Sequence, residues 1–123
     1  CQSGTWGQAT EGTRAWVNFD GTNCPGGWCY VRSEHNVSGV WRMDVGKYLI
    51  FFASPMRDSG FATLTGYTPE WADFAGGNPS ARLVIVSKQT ASSIEIYSGS
   101  MQGWTGATGQ TIDFPLISIA VFR

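Results

Sequence analysis

The stretch Ser38-Gly39-Val40-Trp41-Arg42-Met43-Asp44-Val45-Gly46-Lys47-Tyr48-Leu49-Ile50-Phe51-Phe52 decides the fold class. Two β-branched and aromatic runs, 38–43 and 47–52, flank the short turn signal Asp44-Val45-Gly46. That pattern predicts a β-hairpin. Further runs of the same character lie on either side. Ala15–Phe19 is stopped by Asp20-Gly21-Thr22, and Trp28–Arg32 follows the Gly/Pro-rich Asn23-Cys24-Pro25-Gly26-Gly27. Phe61–Gly66, Arg82–Val86, Ser93–Tyr97 and the apolar Leu116–Phe122 complete the set. No window shows a helical period, and strands separated by turns predict an all-β chain, an antiparallel β-sandwich. The apolar last strand is expected in the middle of a sheet or under a neighbour, because an exposed apolar edge aggregates.

Two long Gly-rich segments, 67–80 and 98–111, read as loops. Residues 1–13 read as a leader or linker around a lone Trp6, and 14–123 as a single sandwich domain. Cys1 stands where an initiator Met is usual and no signal peptide is visible, so the chain reads as a processed product or a piece of a longer one.

Composition narrows the function classes. Of the 123 residues, 14% are charged, 14% are aromatic and 16 are glycine, and the formal net charge is −1. A nucleic-acid binder would carry a basic face, so none is expected. No run of about 18 apolar residues is present to insert into a membrane as a helix. Few charges with many aromatics suit a surface partly covered by another chain.

The catalytic inventory is thin. His35 is the only histidine, and its neighbour Glu34 points to the opposite face of any strand they share. No nucleophile elbow or phosphate-cradling glycine motif occurs, so no cofactor is expected. Cys24 and Cys29 have the spacing of half a zinc site without a second pair of ligands. Asp20-Gly21-Thr22-Asn23 lacks the later ligands of a calcium loop and reads as a turn. With three cysteines in a chain assembled in a reducing compartment, Cys24 and Cys29 are expected to stay unpaired. Glu70 and Asp73 share a loop with Trp71 and Phe74, the composition of a sugar site and, at its furthest, of a glycan-cleaving carboxyl pair.

Ala15-Trp16-Val17-Asn18-Phe19-Asp20-Gly21-Thr22 resembles the opening of a β-domain found in bacteriophage tail-fibre and related virion proteins, which reads A-W-V-N-F-[ND]-G-T. Val31-Arg32-Ser33, Asn36-Val37-Ser38, Gly46–Phe52, Met56–Ala62 and Ile119–Arg123 are similar to that family's successive motifs. The likeness covers residues 14–65 and the last strand. The cysteine loop 24–29 and the segments 66–80 and 98–111 depart from it.

The resemblance implies a non-enzymatic virion structural domain of a fibre, spike or adhesin. It implies a homotrimer joined to other virion proteins, assembled in the host bacterial cytoplasm and sometimes binding a host receptor. A lectin-like carbohydrate-binding module and a small glycan-cleaving enzyme are the alternatives. Trp16, Val17, Phe19, Tyr48, Ile50 and Phe52 are expected in the core or between subunits. Contacts with a host-surface glycan or protein are expected on the loops, at Tyr67, Glu70, Trp71, Asp73, Gln102 and Trp104, whose rings and polar groups suit sugars.

Overall fold

The computed structural model describes residues 13–68, 81–101 and 109–123. These residues form an antiparallel β-sandwich of two sheets. The strands are β1 (Thr13–Asp20), β2 (Tyr30–His35), β3 (Val37–Asp44), β4 (Lys47–Phe52), β5 (Ala62–Thr68), β6 (Ala81–Gln89), β7 (Ser93–Met101), β8 (Gly109–Thr111) and β9 (Leu116–Phe122). One sheet has the order β2-β1-β9-β5; the other runs β3-β4-β7-β6, with the short β8 paired to the far half of β7.

The alternation in the sequence is the alternation of the core. Ala15, Val17 and Phe19 of β1 and Ile117, Ile119 and Val121 of β9 face Tyr48, Ile50 and Phe52 of β4 and Ile94 and Ile96 of β7 across the sandwich, and all are buried. Each of the Val, Ile and Phe side chains among them contributes about 1.5–3 kcal/mol by leaving water. The apolar strand β9 lies centrally, between β1 and β5, so its ladder is filled on both sides. Irregularities adjust the pattern. Between Val37 and Gly39 the β3–β4 register shifts, which lets Val37 and Val40 both point inward although they are three residues apart.

The chain passes between sheets at points where ladder bonding lapses and side chains take over. Asn36 alone joins β2 to β3. It adopts φ 56°, a region that Asn tolerates better than most residues. Its side chain donates to the carbonyls of Arg14 (3.3 Å) and Ser54 (3.1 Å) and accepts from the Ser54 amide (2.7 Å). Another crossing, residues 112–115, leads from β8 to β9. There the Ser98 hydroxyl donates to the Ile112 carbonyl (2.6 Å), and the Gly21 amide donates to the Phe114 carbonyl (2.9 Å).

Three sequence expectations need correction. Residues 98–101 and 109–111 are strand rather than loop: Ala81–Leu83 and Gly109–Thr111 supply ladder partners for the end of β7. Tyr67 and Thr68 likewise belong to β5, paired with Ile117 and Leu116. Trp28 stands outside β2, bridged instead to Trp41 of β3. The loop segments 69–80 and 102–108 and the leader 1–12 lie outside the described residues.

Candidate functional site

Of the six residues expected to contact a glycan or receptor, Tyr67 is described. Its ring stacks on Phe114 with centroids 5.4 Å apart, inside the seam between the sheets. Packing of that kind fixes the end of β5. Glu70, Trp71, Asp73, Gln102 and Trp104 lie outside the described residues.

A different aromatic group gathers on the outer face of the β3–β4 hairpin. Pro25-Gly26-Gly27 makes a single 3-10 turn, closed by the Gly27 amide donating to the Cys24 carbonyl (3.0 Å). Gly26 and Gly27 have φ of 67° and 97°, which only glycine adopts readily. The turn folds the segment back so that Cys24 and Cys29 form a disulfide with S–S 2.08 Å. The expectation of free thiols is thereby overturned. It rested on the redox compartment, whereas the turn geometry brings the two sulfurs together.

Trp28 projects from this closed loop over the sheet. Its ring meets Trp41 edge-on (5.0 Å between centroids) and leans on Phe51 (6.1 Å). Gly39 makes room: a Cβ there would come within 2.9 Å of the Trp28 ring. Trp28 nevertheless stays 52% exposed. Leu49 pairs with Trp41 across the same strands. A tethered, half-open indole braced edge-on by a second one is an apolar platform, the kind of surface that stacks on a sugar ring or on an apolar partner face. The sequence signal for it was the short cysteine loop. Trp28 read instead as the first residue of a strand.

The strongest electrostatic feature is Asp113, in the crossing between β8 and β9. Arg42 Nε donates to both of its oxygens (3.2 and 3.1 Å) and Nη2 to Oδ2 (2.8 Å). The Gly46 amide donates to Oδ1 (2.7 Å). The Tyr48 hydroxyl lies 2.5 Å from Oδ1 and 2.8 Å from the Gly21 carbonyl. It has one proton to give, and the carboxylate is the stronger acceptor. Burial pushes the Asp113 carboxyl up, but the hydrogen bonds from Arg42, Tyr48 and Gly46 together outweigh it and hold the group below the ordinary aspartate range. Burial first, and the bond to Asp113 second, push the Tyr48 hydroxyl far above its usual value. The Arg42 guanidinium is raised, chiefly by its bond to Asp113. A carboxylate so fully engaged has no free lone pair aimed at a substrate; this group locks the hairpin β3–β4 onto the crossing that feeds β9.

The remaining polar motif residues also work locally. Asp20 Oδ1 accepts from the Thr22 amide (2.8 Å) and hydroxyl (2.5 Å), closing a turn. Arg32 is the extra residue where Asn18 faces Ser33 and Phe19 faces Val31; its guanidinium reaches the Asn18 side chain (3.2 Å) and the Pro115 carbonyl (2.6 Å). His35 stacks beside Trp16 at 6.5 Å. Among the described residues, no group of three or more His, Cys, Asp or Glu side chains is placed to hold a metal ion. No protein-family model matches this chain, and neither a curated protein nor a solved structure does.

Proposed function

We propose that this chain is a non-enzymatic structural domain of a bacteriophage virion fibre, spike or adhesin, a homotrimer whose exposed groups contact a host-surface glycan or protein. The observation that carries the reading is a set of large apolar side chains left exposed on the outer sheet faces. Trp16, Ala120 and Leu64 lie side by side across β1, β9 and β5, with Trp16 39% and Leu64 61% exposed. On the other sheet Ile85 is 47% exposed beside Tyr97. In a chain with only 14% charged residues, such faces are suited to burial against neighbouring copies. The motif residues Val17, Phe19, Tyr48, Ile50 and Phe52 form the core, while Trp16 faces outward and is available to a neighbour. Cys24 and Cys29 pair once the particle leaves the reducing cytosol.

Light scattering at micromolar concentration tests the assembly and should report the mass of about three chains. A folded monomer under those conditions removes the fibre reading. A lectin-like carbohydrate-binding module is the second reading, and the Trp28–Trp41–Phe51 platform favours it. That module stays monomeric and loses sugar binding with Trp28→Ala.

A further inference from the structure

At one end of the sandwich a cleft of about 450 Å³ opens between the start of β1, the Asn36 crossing, the β4–β5 connection and the end of β9. That volume falls within the roughly 300–1,000 Å³ usual for small-ligand pockets. Arg14, Arg57 and Arg123 line it, and among the described residues no acid does. Half of the chain's six arginines thus converge on one cleft in a protein of net charge −1.

The three are not equivalent. Arg123 is held in place: Nη2 bonds Asp58 Oδ2 (2.8 Å) and Nη1 the Gly60 carbonyl (3.1 Å). Asp58 is itself fixed by accepting the Gly60 amide (2.8 Å). The Nε of Arg123 is buried and, among the described residues, has no hydrogen-bond partner. A buried donor without an acceptor is a standing cost, and it belongs to the side chain that braces the cleft. Among the described residues, Arg14 and Arg57 have neither an ion pair nor a side-chain hydrogen bond; the one acid beside Arg57, Asp58, is turned to Arg123. Asn36 braces the wall through its bonds to Arg14 and Ser54, so the cleft is set before any ligand arrives. Pro55, which is exposed, adds an apolar surface beside the charges, while Met56 is buried in the core.

Two guanidinium groups with no ionic partner among the described residues, at a preformed cleft with an apolar wall, fit an anionic group carried on an organic body. Guanidinium forks match the planar oxygens of carboxylate and phosphate. From this geometry we propose that the cleft binds a negatively charged saccharide, its carboxylate or phosphate held by Arg14 and Arg57 and its ring against Pro55. The site is separate from the Trp28 platform and does not depend on the virion reading.

The test is titration of the full chain with glucuronate, glucose 6-phosphate, inorganic phosphate and uncharged glucose, followed by amide NMR shifts or calorimetry. Glucuronate or glucose 6-phosphate should bind saturably and more tightly than glucose, with an affinity that falls as salt is added. Arg14→Gln and Arg57→Gln should each weaken binding by roughly tenfold while the melting temperature stays put. Arg14→Lys, which keeps the charge and removes the fork, should retain part of the affinity. Anionic sugars binding no better than glucose, or unchanged binding in both glutamine variants, overturns the proposal. Inorganic phosphate binding as tightly as glucose 6-phosphate overturns the saccharide assignment.

Discussion

Arg42 and Arg57 carry the same guanidinium in two contrasting settings. Arg42 meets Asp113 through three short hydrogen bonds, and the carboxylate is further bonded by Tyr48 and Gly46. Arg57 shares a cleft with Arg14 and Arg123 and, among the described residues, has no carboxylate of its own. The first setting is closed, and its charges are consumed in holding two sheets together. The second is open, and its charges remain available to something outside the chain. What separates them is whether the fold delivers an acid to the guanidinium. The 112–115 crossing carries Asp113 to Arg42, whereas Asp58 is drawn to Arg123.

Breaking the closed setting should cost most. Asp113→Ala strands the buried Tyr48 hydroxyl and the Gly46 amide and leaves Arg42 without its partner, so urea unfolding should show a loss of about 3 kcal/mol. Acid reaches the same group more gently. The folded carboxyl binds its proton more weakly than the unfolded one, so protonation favours the unfolded chain. Its contribution is complete above the ordinary aspartate range, near pH 4, and is lost as pH falls through the depressed folded value. Stability measured from pH 6 downward should decline in the parent, and Asp113→Ala should flatten part of that decline.

A covalent closure scales the comparison. Reducing the Cys24–Cys29 bond frees a short loop and should lower stability by about 2 kcal/mol. Cys24→Ser should show the same loss and no further response to reductant. Intact mass of the unreduced peptide spanning the pair, lighter by two hydrogens, confirms the bond itself. Removing only the hydroxyl from the closed setting is milder. Tyr48→Phe keeps the buried ring and its edge contact with Phe19 and should cost about 1 kcal/mol. Smallest of all, Arg14→Gln and Arg57→Gln should each change stability by less than about 0.5 kcal/mol, because no partner among the described residues is lost. A large loss in either would make the open setting a structural one and erase the contrast.

Much of the sandwich was legible because a half-buried strand writes its period into the chain. The hairpin β3–β4 and the strand β9 lie where the alternation of Val40, Tyr48, Ile50, Ile117 and Ile119 puts them. Ser98-Gly99-Ser100-Met101 and Gly109-Gln110-Thr111 carry no such period, and they become strands because ladder partners are brought to them. The site was less legible. Tyr67 stacks on Phe114, a residue far along the chain, and no local pattern announces that contact. Trp28 drew no attention as a binding group, since its exposure depends on a turn that lifts it over Trp41 and Phe51.

The amino-acid sequence by itself determined the all-β class, the core-facing residues of the long strands and the turn at Asp20-Gly21-Thr22. Those features depend on neighbours a few residues apart, where local sterics and the period of two act. Only the tertiary structure decided which charges are paired. Arg42 finds Asp113 across 71 positions, and Arg14, Arg57 and Arg123 meet because the start of β1, the β4–β5 connection and the end of β9 share one end of the sandwich. Electrostatic partnership is a matter of distance in space, and in a fold of antiparallel strands with chain crossings, position along the chain does not set that distance.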